Sequence, residues 1–290
     1  MTAPSHAPAG SGFEAWLPEA ALQAALAPHL RPAVFAISGV QGSGKSTLAA
    51  QVATLARGRG LRVAVLSIDD FYLQAARRRQ LAAEVHPLLA TRGPPGTHDL
   101  PLALAVMARL RGGLRVRLPR FDKLADDRVR ESEWTYADTP LDLVLLEGWL
   151  LGVPPQQASD LVRPLNALER TEDAGAQWRA WCNAALAHEY PPLWRQLDAL
   201  WMLAAPSFDV VPAWRWQQEQ SLLARSPMQP GMSRAQLERF VQLFERVSRH
   251  ALHVLPALAQ RVIHLDQHRR PLQRAGEVPG AADPLTGPRK

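Results

Sequence analysis

Gly39-Val40-Gln41-Gly42-Ser43-Gly44-Lys45-Ser46 is an uninterrupted Walker A octet, and its reading sets the rest of the chain in order. The apolar run Ala33-Val34-Phe35-Ala36-Ile37 precedes it, and the helix-favouring stretch Thr47-Leu48-Ala49-Ala50-Gln51-Val52-Ala53 follows. Strand, glycine turn and helix start form the context this motif needs. Glycines let backbone N–H groups curl around phosphate oxygens where a side chain would block approach. The following helix adds its positive end, roughly half a unit charge, behind the same anion. Gly39, Gln41, Gly42, Ser43, Gly44, Lys45, Ser46 and Thr47 are therefore the expected cradle of a nucleoside triphosphate. In it, Lys45 bridges the terminal phosphates and the Ser46 hydroxyl ligates Mg²⁺.

Working outward, apolar runs at residues 34–38, 62–67, 141–146, 200–204 and 261–265 read as strands. Helical spacing marks residues 13–30, the segment after the octet up to Gly58 and Gly60, and residues 99–110, 175–187, 208–224 and 233–255. Asp99 suits an N-cap. Such alternation predicts an α/β fold: a doubly wound, mostly parallel sheet with helices on both faces. One domain is expected over residues 13–273, with disordered segments at 1–12 and 274–290. The stretch between the second and third strands shows little regular pattern beyond the helix at Asp99. Its polar residues are expected near the substrate.

Composition narrows the function classes. Of 290 residues, 47% are hydrophobic and 21% charged, ordinary for a soluble globular chain. The net charge of +6 is almost all arginine, since lysine occurs only at Lys45, Lys123 and Lys290. The arginines are dispersed and lack aromatic interleaving, which argues against a nucleic-acid partner. A lone cysteine, Cys182, excludes an intrachain disulfide and fits a reducing compartment, the cytoplasm. The first residues do not read as a secretory signal, and no stretch reaches the apolar length of a membrane span.

Two acidic sites follow apolar strands. Glu147, after Leu143-Val144-Leu145-Leu146, has the Walker B form and is expected to hold Mg²⁺ with Ser46. Asp69 and Asp70 follow the second strand, where a carboxylate can take the proton of an acceptor hydroxyl. Asp69 lies nearer the strand end and is the expected base, while Asp70 is expected to cap the next helix; the reverse assignment stays open. Arg92, His98, Arg120, Lys123 and Arg128 fall in the long excursion and form a candidate carboxylate site. Tyr72, Phe121 and Trp134 keep a stacked nucleoside acceptor open.

The octet with Ser67-Ile68-Asp69-Asp70-Phe71-Tyr72 resembles the phosphoribulokinase/uridine kinase group of P-loop kinases. Arg92-Gly93-Pro94-Pro95-Gly96-Thr97-His98-Asp99, Pro119-Arg120-Phe121-Asp122-Lys123, Leu146-Glu147-Gly148-Trp149 and Trp214-Arg215-Trp216-Gln217-Gln218-Glu219 narrow it to the D-glycerate 3-kinase family. The resemblance spans roughly residues 32–265. It implies a P-loop kinase fold and ATP- and Mg²⁺-dependent phosphorylation of D-glycerate to 3-phosphoglycerate. One departure is that residues 124–133 keep only Asp127-Arg128 of a glycine-rich Gly-Arg-Gly-Asp-Arg stretch associated with plant members.

Residues 206–234 read as a helical lid, with Arg215 the preferred catalytic arginine and Arg225 and Arg234 as alternatives around the hinge Pro230-Gly231. Trp178, Trp181, Trp194, Trp201 and Cys182 read as packing residues. A uridine- or pantothenate-type kinase and an inert nucleotide-binding protein remain alternatives. A switch GTPase lacks support, because no Asn-Lys-x-Asp motif occurs.

Overall fold

A computed structural model describes residues 12–225 and 231–272. The disorder expected at residues 1–11 and 274–290, the side chain of Arg225 and the hinge residue Pro230 lie outside the described residues. A lead-in helix α1 (Trp16–Leu26) precedes β1 (Ala33–Gly39), the phosphate loop and α2 (Lys45–Gly58). β2 (Val63–Ser67) ends in a tight helical turn (Ile68–Phe71), followed by α3 (Ala75–Glu84) and α4 (Leu100–Arg111). Four two-residue strands come next: β3 (Arg117–Leu118), β4 (Phe121–Asp122), β5 (Asp127–Arg128) and β6 (Thr135–Tyr136). They pair antiparallel, β3 with β6 and β4 with β5. The chain then enters β7 (Leu143–Gly148), passes α5 (Ala167–Glu172), α6 (Gln177–His188) and α7 (Pro191–Trp194), and forms β8 (Ala199–Ala204). α8 (Val211–Arg225), α9 (Arg234–Val254) and β9 (Arg261–His264) complete the core.

The five long strands run parallel in the order β2-β7-β1-β8-β9. β1 and β7 are buried along their whole length, which is why both read as continuous apolar runs instead of alternating ones. Alternation reappears in what each residue touches. Val34 and Ala36 face a core built from α4, α6 and much of α9. Ala33, Phe35 and Ile37 face α1, α2 and Trp214 of α8. The larger of these side chains, Val34, Phe35 and Ile37, each contribute about 1.5–3 kcal/mol of transfer free energy. The α/β architecture with helices on both faces is thus realised.

Parallel pairing also aligns strand ends. Ile37 and Ser67 both lie opposite Glu147 in the register, so the carboxyl ends of β1, β2 and β7 meet on one edge. Ligands of open α/β sheets bind outside such strand ends. The excursion between β2 and β7 is more regular than its sequence pattern indicated. It holds α3, whose only buried residues are Arg78 and Leu81, and so it shows no apolar stripe to read.

Candidate active site

Gly44 caps α2 and Lys45 begins it, so the phosphate loop opens onto a helix N-terminus. The Lys45 ammonium is buried and donates to the Val40 carbonyl at 3.0 Å, folding back across the loop. Burial lowers its pKa, while the charges of Glu147 and Asp69 favour its protonated form. Lys123 and Arg215 are close enough to be felt there too. Ser38 Oγ, Ser43 Oγ and both amide atoms of Gln41 are buried and make no protein hydrogen bond. Buried polar atoms seldom go unpaired, so this lining is suited to a ligand rich in oxygen.

The loop is braced from outside. Gly42 has φ +80°, and a Cβ there would lie 2.7 Å from Cβ of Trp214, so the start of α8 rests directly on the loop. Trp214 is 1% exposed and donates through Nε1 to the Gln267 carbonyl at 2.8 Å. Arg269 donates to the Gly42 carbonyl at 2.6 Å and lies over the Trp214 ring at 5.0 Å. On the other flank, Phe13 exchanges two hydrogen bonds with the Gln51 side chain, 2.9 and 2.8 Å long, and its ring borders Gly44.

Ser46 Oγ donates to Glu147 Oε1 at 2.9 Å. A hydroxyl and a carboxylate, both hard oxygen donors, fit Mg²⁺, which keeps several waters and takes phosphate oxygens. Among the described residues no group of three or more His, Cys, Asp or Glu gathers as an all-protein metal cage. That sparse donor set also suits Mg²⁺ better than Zn²⁺.

Asp69 sits in the turn after β2, where the Ser67 hydroxyl accepts its N–H at 3.3 Å. Its Oδ1 accepts from Tyr72 Oη and its Oδ2 from Lys123 Nζ, both at 2.7 Å. Burial pushes its carboxyl upward, but the Lys123 charge and these hydrogen bonds prevail and bring it down to about 2. Asp70 behaves differently: burial raises its pKa despite Arg120, whose guanidinium lies 3.6 Å away. The expected helix cap at Asp70 is not found. α3 starts at Ala75 with Gln74 at its N-cap and no side-chain cap, and Asp70 instead accepts the Phe121 N–H at 3.2 Å, fastening β4.

The excursion wraps this turn. Leu73 N–H donates to the Thr97 carbonyl and Asp99 N–H to the Phe71 carbonyl, so Tyr72 and His98 lie side by side. Of the five expected substrate cations, Lys123 and Arg120 are exposed and reach the aspartates. Arg92 pairs with Asp126 and lies over the Phe121 ring. Arg128 pairs with Asp99 at 2.9 Å and also donates to the Tyr72 carbonyl. His98 is not a cation: burial lowers it to about 4, against a small opposing pull from Asp69, so the ring is neutral near pH 7.

Arg215, on the first turns of α8, is half-buried and lies within electrostatic reach of Glu219, Asp69 and Arg92. Burial lowers its pKa, and its Nε makes no protein hydrogen bond. Arg234 is instead an exposed residue paired with Glu238 one helical turn on. Asp99 caps α4 by accepting the Leu102 N–H at 3.1 Å. Sequence reasoning missed Arg78, which is 1% exposed, bonds the Leu73 and Ala90 carbonyls and pairs with Asp126. It also missed Tyr190, whose hydroxyl meets His98. No local signal connects residues 92 positions apart in the chain.

Comparison with known proteins finds related kinases. The family model for the methylmalonyl Co-A mutase-associated GTPase MeaB matches residues 17–72, the stretch carrying the phosphate loop and β2. The uncharacterized kinase mug58 of Schizosaccharomyces pombe is 35% identical over 223 residues, covering 74% of this chain and 79% of that protein. The chloroplastic D-glycerate 3-kinase of Arabidopsis thaliana is 30% identical over 73% of this chain. The match spans 46% of the plant protein, less than half its length. The solved structure of D-glycerate 3-kinase from Cryptococcus neoformans superposes with a TM-score of 0.70 at 26% identity, covering 89% of this chain and 95% of that one. Among the described residues, no helix is long and apolar enough to cross a membrane. With its phosphate loop, paired Ser46 and Glu147, and Asp69 at the end of β2, this chain belongs to the D-glycerate 3-kinase family of P-loop kinases.

Proposed function

We propose that the chain transfers the γ-phosphoryl group of ATP to a hydroxyl of a small hydroxy acid, D-glycerate, giving 3-phosphoglycerate in the cytoplasm. The name of the plant and fungal relatives supplies the acceptor. The observation that carries the reading is the position of Asp69, within electrostatic reach of Lys45 and bonded to the exposed ammonium of Lys123.

Lys45 holds positive charge where the transferring phosphoryl group spreads its negative charge. Mg²⁺, held by Ser46 and Glu147, would neutralise the phosphate oxygens. Asp69 accepts the acceptor's hydroxyl proton as the new O–P bond forms, the γ-phosphoryl leaves its bridging oxygen, and ADP departs. A weakly basic carboxylate suffices, because attack on a loose, metaphosphate-like centre needs little prior deprotonation. Lys123 and Arg120 meet the substrate carboxylate, and Lys123 then exchanges part of its bond to Asp69 for one to the substrate. We assign the described residues 206–225 the role of a lid that keeps Arg215 at the phosphoryl group and excludes water.

An acid acceptor is favoured over a nucleoside by the aromatic residues. Phe121 is covered by Arg78, Arg92 and Tyr72, and the Trp134 indole donates to the Val129 carbonyl. Tyr72 and Phe121, both buried, are not free to stack on a base. ATP consumption measured side by side with D-glycerate, uridine and pantothenate tests the proposal, with phosphorus NMR identifying the product. Turnover confined to uridine or pantothenate would overturn the acceptor assignment.

A further inference from the structure

His98 Nε2 is buried beside the Asp69 turn and makes no hydrogen bond to the protein, although the residue is only 3% exposed. Its other ring nitrogen, Nδ1, lies 2.6 Å from the hydroxyl of Tyr190, a residue with no exposed surface. That hydroxyl already accepts the Gly96 N–H at 3.0 Å. Gly96 has φ +85°, and a Cβ there would lie 2.0 Å from the Trp181 ring, so the turn that aims this N–H is closed to other residues.

Counting donors fixes the proton positions. If Nδ1 carried the proton, the Tyr190 oxygen would accept twice. Its own O–H, buried, would then lack an acceptor, and Nε2 would lack a donor. If Tyr190 donates to Nδ1, only one group is left over, the Nε2–H. An unmet buried polar group costs about 1–3 kcal/mol, so the arrangement with one such group prevails over that with two. Burial keeps the ring neutral as well.

What the leftover N–H faces is given by its surroundings. The His98 ring lies 4.8 Å from the Tyr72 ring, whose hydroxyl donates to Asp69, and the Asp69 charge is felt at His98. Its surroundings thus include Asp69, the group already assigned to the acceptor hydroxyl, and the Tyr72 hydroxyl bonded to it. We propose that Tyr190 is a positioning residue: through the chain Gly96 N–H, Tyr190 O–H, His98 Nδ1 it holds His98 as the Nε2–H tautomer. The Nε2–H then donates to an oxygen of the acceptor substrate. His98 so acts as a neutral donor that places an oxygen beside Asp69. This deepens the kinase reading and rests on it for the identity of the acceptor.

Two-bond proton–nitrogen correlation spectra of the full chain labelled with ¹⁵N-histidine read the tautomer directly, and the resonances lost in His98→Phe assign it. The expected result is a protonated Nε2 and a bare Nδ1, changing to a mixture of tautomers in Tyr190→Phe. In steady-state assays Tyr190→Phe raises the acceptor KM roughly tenfold, the scale of one hydrogen bond, and leaves the ATP KM unchanged. His98→Gln, which carries an N–H at similar reach, recovers part of the activity lost in His98→Phe, and this pair tests the donor even if Tyr190→Phe fails to fold. A protonated Nδ1 in the parent protein, or Tyr190→Phe with an unaltered tautomer and acceptor KM, overturns the proposal. Because the spectra need no substrate, a chain showing the Nε2–H pattern but no turnover of hydroxy acids refutes the hydroxy-acid reading and leaves the tautomer relay standing.

Discussion

Ser46 Oγ lies 2.9 Å from Glu147 Oε1, joining the first turn of α2 to the end of β7 across 101 residues of sequence. Each residue alone is an ordinary end of an ordinary element. Their contact exists because β1 and β7 are parallel neighbours whose carboxyl ends coincide. The Mg²⁺ site proposed above would therefore depend on sheet register as much as on either side chain.

Glu147→Gln keeps the hydrogen-bonding shape and removes the charge. It is expected to raise the Mg²⁺ concentration for half-maximal rate roughly 10- to 100-fold. Titrating Mg²⁺ at saturating ATP measures this, and an unshifted midpoint would remove Glu147 from the metal site.

Asp69→Asn should lower kcat by roughly a hundredfold or more while ATP affinity changes little, as for a lost general base. Asp70→Asn should affect mainly stability, because Asp70 fastens the Phe121 backbone. Kinetics and nucleotide titration of the two variants separate these outcomes. If Asp70→Asn abolishes turnover and Asp69→Asn does not, the two roles are reversed.

Lys123→Ala makes a prediction about pH. Asp69 is lowered from 3.8 to about 2 in the folded chain, so its ion pair adds stability that is complete above about pH 4. That contribution is lost as pH falls from about 4 towards 2. Without Lys123 the carboxyl is depressed less, so the variant is less stable than the parent above about pH 4, and the two stabilities converge as pH falls towards 2. Denaturant midpoints of both proteins between about pH 2 and pH 6 test this. Coincident curves would show that the Lys123 contact does not form in solution.

Gly42→Ala is expected to damage the phosphate loop from behind. The added methyl meets Trp214, and the backbone there is left-handed, a strain of about 1–3 kcal/mol. The variant should melt earlier and bind ATP more weakly, by calorimetry and by thermal unfolding with and without nucleotide. Tight ATP binding with an unchanged melting temperature would mean that α8 yields freely.

Much of this architecture is visible in the chain itself. Five apolar runs became the five parallel strands: β1, β7 and β8 are buried throughout and so read as near-continuous apolar runs, while the edge strands β2 and β9 are only partly buried. The octet and the acids at the ends of β2 and β7 were legible because chemistry at a parallel sheet gathers at those ends. α3 was not legible, because it buries Arg78 where a helix usually buries an apolar stripe. The charge state of His98 was hidden as well. It is set by burial, among partners such as Tyr190 that folding delivers from 92 positions away. Asp70 misled for a related reason, as its backbone partner, Phe121, belongs to a strand only two residues long.

Phe13 and Arg269 touch the phosphate loop from opposite flanks, one near the first described residue and one near the last. The phosphate loop is thus held by contacts from residues far apart in the chain. Limited proteolysis that removes either contact should leave a sheet that still melts cooperatively yet holds its triphosphate poorly. A chain caught midway through synthesis, lacking Arg269, would have the octet already made but not yet clamped.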